Sequence, residues 1–314
     1  MNAVDLSVVI PVYNNAATLD ELIDRLFAVL APLPLSVEII FVDDGSRDAS
    51  LSILRGRAAG DPRIRAFALV RNFGSQAAVC AGFDLVRGRR VIAMDADLEN
   101  CPEDIPALLE PLDCGYDLVC GYRENRRAPW LTRRLPSWLM NAYVRHQTGT
   151  SIRDLGCGMR GFQSWVVRDL EAEGENRRLL TPLFLRRART VIEVPLRQGA
   201  IRKSSGHSFL TLLGMALDYY MLTARRPFLI SGLVSAAAAA SGGVMLLLGP
   251  RLAGLVITAS GFVGGLLSLL GEYCQRLYQL SQGVPFYKLQ DLHEKEDLPE
   301  GSGSNTTTHA KHQA

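Results

Sequence analysis

The chain has 314 residues, and 34 lysines and arginines nearly balance 32 aspartates and glutamates, for a formal net charge of +2. That balance excludes a strongly cationic nucleic-acid binder, and 48% hydrophobic against 21% charged residues excludes a disordered chain. The length suffices for one large domain or two, and the mean hydropathy of +0.10 has its source in one place, residues 227–271.

Six cysteines (80, 101, 114, 120, 157 and 274) form no C-x-x-C pair and have no paired histidine spacing. They predict neither a zinc site nor a disulfide framework, and read as reduced thiols of the cytosol. The N-terminal stretch carries Asp5 and no basic run, so no signal peptide is expected.

Leu6–Val12 is β-branched and apolar and predicts a strand. Leu19, Leu22, Ile23, Leu26, Phe27 and Leu30 then recur at helical spacing. A second strand, Val37–Val42, ends in Asp43-Asp44-Gly45-Ser46, and Asp48-Ala-Ser50 opens a helix over 51–59. Ile64–Val70 predicts a third strand, Ser75–Val86 a helix, and Arg90–Met94 a fourth strand running into Asp95-Ala-Asp97. A helix over 103–112, a strand over 116–121 and a late strand over 191–195 follow. Strands alternating with helices at this length predict a parallel sheet covered on both faces, an α/β domain with its ligand beyond the carboxyl ends of the strands. Both acidic clusters fall there.

Trp130–His146, with Arg133, Arg134, Trp138, Tyr143 and Arg145, predicts an amphipathic helix with basic and aromatic faces, and Phe209–Thr223 predicts another. Pro227–Pro250 and Leu252–Gly271 carry no charge. At a rise of about 1.5 Å per residue each reaches about 30 Å, the thickness of a hydrocarbon core. They predict a transmembrane hairpin, about 227–249 and 252–272, turning at Arg251. Arg225, Arg226, Arg276 and Lys288 at its outer ends put both flanks in the cytoplasm. The expected organisation is therefore a catalytic domain over 1–206, a juxtamembrane helix over 207–226, the hairpin within 227–280, and a tail over 281–314 whose last twenty or so residues are polar and disordered.

Carboxylates two apart at a strand end point the same way, so Asp95 and Asp97 can face one hard cation, Mg²⁺ or Mn²⁺, which takes oxygen ligands and bridges readily to phosphate. D-x-D is short and frequent in turns; its placement after a strand, with a second acidic pair after another strand, carries the weight. Asp43 or Asp44 can accept a hydrogen bond from a base or ribose while Gly45 and Ser46 permit the turn. Gly156-Cys-Gly-Met-Arg-Gly161 matches G-x-G-x-x-G, but it lies far from a first strand, so a dehydrogenase is rejected.

Pro11-Val-Tyr-Asn14, Val42-Asp-Asp-Gly-Ser46, Arg71-Asn-Phe-Gly74, Met94-Asp-Ala-Asp-Leu98 and Pro102-Glu-Asp-Ile-Pro106 resemble family 2 glycosyltransferases. Asp154-Leu-Gly-Cys-Gly-Met-Arg160 and Leu270-Gly-Glu-Tyr273, followed by Arg276-Leu-Tyr278, resemble the polyprenyl-phosphate branch, including its mannose synthases and its bactoprenol and aminoarabinose transferases. The resemblance spans about residues 6–290. It implies a GT-A fold, with Pro11, Tyr13, Asp43, Asp44, Asp95, Arg160 and Lys203 on the nucleotide sugar. Asp95 and Asp97 would hold the metal, Arg123, Arg133 and Ser137 the lipid phosphate, and Asp154 and Asp97 would be catalytic. It also implies a homo-oligomer in the inner membrane. The chain departs from the family pattern at Glu99-Asn-Cys-Pro102 and Lys203-Ser-Ser-Gly-His-Ser-Phe209, and it lacks the Q-x-x-R-W of processive members. The implied reaction moves a single sugar, with inversion, from a nucleotide diphosphate, with uridine favoured, to polyprenyl phosphate at the cytosolic membrane face. An ionised lipid phosphate needs no general base to attack. Two alternatives stay open: another lipid acceptor, or a silent scaffold that only binds nucleotide sugar.

Overall fold

The computed structural model describes residues 4–123, 152–154, 156–168, 170, 177, 180–197, 199 and 287–290, and scattered helical positions between 256 and 277. The amphipathic segments 130–146 and 209–223 and the first apolar run lie outside these residues. Among the described residues, no helix is long and apolar enough to cross a membrane.

A seven-stranded sheet forms the centre, in the order β3-β2-β1-β4-β6-β5-β7. Its strands are β1 (Leu6–Val12), β2 (Val37–Asp43), β3 (Ile64–Ala68), β4 (Arg90–Ala93), β5 (Leu118–Arg123), β6 (Arg160–Gln163) and β7 (Val191–Leu196). All run parallel except β6, which is antiparallel to both β4 and β5. The helices are α1 (Ala16–Leu30), α2 (Ser50–Gly60), α3 (Ser75–Asp84), α4 (Ile105–Asp113, entered through a 3-10 turn at Pro102–Asp104), α5 (Ser164–Val167) and α6 (Leu180–Arg187).

β1 is central because every residue of Leu-Ser-Val-Val-Ile-Pro-Val is buried, as a strand covered on both faces requires. Alternation then sorts the core. Leu6, Val8, Ile10 and Val12 join Leu19, Leu22, Ile23 and Leu26 of α1 and Ile105, Leu108 and Leu112 of α4 on one face. Val9, Ile40, Val42 and Val91 join α3, α5 and α6 on the other. There Phe83, Phe162 and Phe184 meet edge to face, with centroids 4.7–5.7 Å apart.

Within the described residues the expected strands and helices are present, with shifted ends. The third strand stops at Ala68 rather than Val70, because beyond it Leu69 pairs with Leu289. The helix expected to reach Val86 ends at Asp84. The strand expected over 116–121 is set two residues later, 118–123, which carries Arg123 to the rim of the site. β6, α5 and α6 were not anticipated. The G-x-G-x-x-G stretch leads into β6 and opens no helix.

Candidate functional site

Parallel β1, β2, β4 and β5 all end at one edge of the sheet, and β6, running the other way, begins there. Nine expected site residues therefore share one edge: Pro11, Tyr13, Asp43, Asp44, Asp95, Asp97, Arg123, Asp154 and Arg160. Arg133, Ser137 and Lys203 lie outside the described residues.

The exits of β1 and β2 are stitched together by backbone-to-side-chain bonds. The Asn14 amide donates to Ser46 Oγ (2.9 Å), and the Arg47 amide donates to Asn14 Oδ1 (2.8 Å). Asn14 sits at φ +51, a left-handed position that asparagine tolerates. Pro11 pairs in register with Val42 and is buried, whereas Tyr13 is exposed.

The two adjacent aspartates have different tasks. Both oxygens of Asp44 accept backbone amides, from Phe73 (2.7 Å) and Gly74 (2.9 Å), so it fastens the loop after β3. Burial raises its carboxyl above the usual value, against the pull of those amides. Gly45, at φ +69, lets that loop approach: a Cβ there would stand 2.7 Å from the Asn72 nitrogen. Asp43 accepts the Ser46 amide through Oδ2 (3.0 Å). Its other oxygen, Oδ1, is buried and has no hydrogen-bond partner among the described residues. An orphaned buried acceptor is costly unless a ligand donates to it.

Asp95 lies against Gly158, where an added Cβ would fall 1.9 Å from its Oδ2. Its carboxyl is pushed up to about 6, first by burial and then by the charge of Asp97, with Arg160 pulling the other way. Asp97 Oδ1 accepts the Glu99 amide (3.0 Å), which closes the turn, and the buried Leu98 between them sits at φ +62. Thr18 of α1 holds this turn from below through the Ala96 carbonyl (2.9 Å).

Opposite stands an ion pair. Arg123 donates through Nε and Nη2 to the two oxygens of Asp154 (2.8 and 3.3 Å), and Asp154 Oδ1 also accepts the Gly156 amide (3.1 Å). Glu99 Oε2 lies 3.8 Å from Arg123 Nη1. The forked contact fixes the guanidinium plane. Glu99, Gly158 and Thr18 were not among the expected site residues. For Glu99 the available signal was its place two residues after Asp97.

The donor chemistry fits a divalent cation at Asp95 and Asp97. Two hard oxygen ligands lie in one turn, the carboxyl of Asp95 raised first by burial and then by the charge of Asp97, and a cation would offset both. Among the described residues no group of three or more histidine, cysteine or carboxylate side chains could hold a metal by itself. Phosphate or water would therefore complete its shell.

The sequence profile of glycosyl transferase family 2 matches residues 7–170. The chain is 35% identical over 306 residues to an undecaprenyl-phosphate 4-deoxy-4-formamido-L-arabinose transferase of Edwardsiella ictaluri, covering 91% of this chain and 94% of that one. A Pectobacterium atrosepticum protein of the same name is 39% identical over 254 residues, covering 79% and 77%. Among solved structures, mannosyl-3-phosphoglycerate synthase of Rubrobacter xylanophilus superposes with a TM-score of 0.50 at 18% identity, over 71% of this chain and 74% of that one. That likeness concerns the GT-A-like fold. With the motifs, the sheet order and these matches in agreement, the chain belongs to glycosyl transferase family 2 and is a glycosyltransferase of the polyprenyl-phosphate type.

Proposed function

We propose that the enzyme transfers one sugar, with inversion, from a UDP-sugar to undecaprenyl or a similar polyprenyl phosphate at the cytosolic face of the inner membrane. The observation that carries this reading is that the Asp95–Asp97 turn and the Arg123–Asp154 pair lie at one edge of the sheet and are linked through Glu99, whose amide donates to Asp97 and whose carboxylate stands 3.8 Å from Arg123. An acidic pair suits a cation-bridged diphosphate, and a fixed guanidinium suits a phosphate monoester. The printed names of the two relatives supply the acceptor class.

Asp43 Oδ1 would accept an N–H of the base, such as N3–H of uracil, and Tyr13 would lie alongside it. Asp95 and Asp97 would hold Mg²⁺ or Mn²⁺, which offsets charge on the departing diphosphate. Arg160 and Lys203 would contact the donor, and Arg123, Arg133 and Ser137 the acceptor phosphate. That phosphate is ionised at neutral pH and attacks the anomeric carbon from the side opposite the leaving group. Asp154, with its oxygens engaged by Arg123 and the Gly156 amide, orients the guanidinium and takes no proton. The runs 227–249 and 252–272 would anchor the domain as a hairpin. The seating of residues 287–290 on the described domain supports an even number of crossings between them. A homo-oligomer would be built through 130–146 and 209–223.

The test combines the full-length protein, divalent cation, undecaprenyl phosphate and a panel of labelled UDP- and GDP-sugars. A chloroform-soluble, mild-acid-labile product is expected with one donor, and Asp97→Asn is expected to abolish it. A folded wild-type protein that yields no such product with any donor refutes the proposal.

A further inference from the structure

The chain beyond the apolar runs comes back to the sheet. Residues 287–290 lie antiparallel along the β3 edge: Val70 N donates to the Lys288 carbonyl (3.0 Å), and Gln290 N donates to the Ala68 carbonyl (2.7 Å). Tyr287 and Leu289 pack against the core on the α3 side. The Tyr287 hydroxyl donates to Asp84 at the end of α3, and Arg177 Nη1 stands 3.3 Å from the same carboxylate oxygen. The Arg177 guanidinium lies 5.8 Å from the Tyr287 ring centroid.

What this strap touches matters more than its size. Leu69 N donates to the Asp43 carbonyl (2.8 Å), and the next residue, Val70, is the one bonded to Lys288. From Val70 the chain enters the loop whose Phe73 and Gly74 amides Asp44 holds, and which packs on Gly45. The loop beside Asp43 is thus held on one side by Asp44 and on the other by the strap. Two backbone bonds fall short of offsetting the ordering of four residues, so the strap depends on the Tyr287 and Leu289 side chains.

We propose that Tyr287–Gln290 is a positioning element of the donor pocket. It ties the chain emerging from the apolar region to the loop 71–74 and so sets nucleotide affinity. Tyr287 is the positioning residue through its bond to Asp84. The inference rests on the reading of the Asp43 pocket as the nucleotide site. Because such coupling is reciprocal, bound nucleotide must also tighten the strap.

The experiment compares full-length wild-type protein with Tyr287→Phe, which loses the hydroxyl, and Gln290→Pro, which loses the amide donor. UDP and GDP affinities are read by calorimetry with Mn²⁺ present, donor and acceptor KM by turnover, and amide exchange at Val70 and Gln290 with and without UDP. Expected are a loss of nucleotide affinity of about fivefold or more in both variants, a rise in donor KM with acceptor KM unchanged, and slower exchange at both amides with UDP. Folded variants that bind nucleotide as wild type does, with only a lower Tm, overturn the inference and leave the donor pocket standing. A wild-type protein that binds neither nucleotide overturns the pocket reading and the inference together.

Discussion

Replacing Asp95 with asparagine tests whether the acidic pair is held ready for a cation. The Asp95 carboxyl is pushed from an ordinary 3.8 up to about 6. A native pKa above the unfolded one means that the fold binds the proton more tightly than the open chain does. Ionisation therefore destabilises the fold, with the penalty absent below the ordinary value and complete above the raised one. The displacement corresponds to about 3 kcal/mol, and partial solvent access to the site reduces it to about 1–3 kcal/mol. Asp95→Asn should thus raise the Tm of metal-stripped protein by about 3–10 °C near pH 7.5, and by about half as much near pH 5. Differential scanning fluorimetry of the detergent-solubilised protein in chelator reads this directly. Added Mn²⁺ should stabilise the wild type and leave the variant unmoved, while the variant loses turnover. A variant melting below wild type near pH 7.5, or displaced equally at both pH values, refutes the reasoning, because the Asp95 charge would then be a stabilising member of the fold.

Gly158→Ala places a methyl against the Asp95 carboxylate, whose three atoms are its nearest neighbours. The Mn²⁺ concentration for half-maximal turnover should rise about tenfold or more with the fold retained, as metal titration and circular dichroism would show. Arg123→Lys keeps the charge and loses the fork to Asp154, so kcat/KM should fall about a hundredfold. Combining it with Asp154→Asn should cost much less than the product of the two losses, and full additivity would dissolve the pair as a unit. Gly45→Ala meets both a positive φ and the Asn72 nitrogen, and should destabilise the protein by about 2 kcal/mol or more in urea unfolding.

The first half of the fold was legible because β1 and β2 are seven-residue, largely apolar runs, β3 and β4 follow in alternation with helices, and β2 and β4 lead into the acidic clusters that mark the ligand edge. β6 was not, since four residues beginning with arginine and including Gly161 carry little strand pattern. Its place between β4 and β5 is a long-range pairing that no local signal encodes. The D-x-D was visible for the same reason as the strand before it. Which of Asp43 and Asp44 keeps an unpartnered buried oxygen was not, because the answer depends on the amides of Phe73 and Gly74, some thirty residues on. The Arg123–Asp154 contact likewise joins positions 31 apart. Adjacent sequence showed both charges, and only the sheet order shows that they meet.

The reversed direction of β6 leaves a socket in the domain. Because β5 leaves the sheet at Arg123 and the chain re-enters through Asp154 at the same rim, residues 124–151 are spliced in at two feet that one ion pair clasps. A replacement segment could be grafted there with neither foot having to travel.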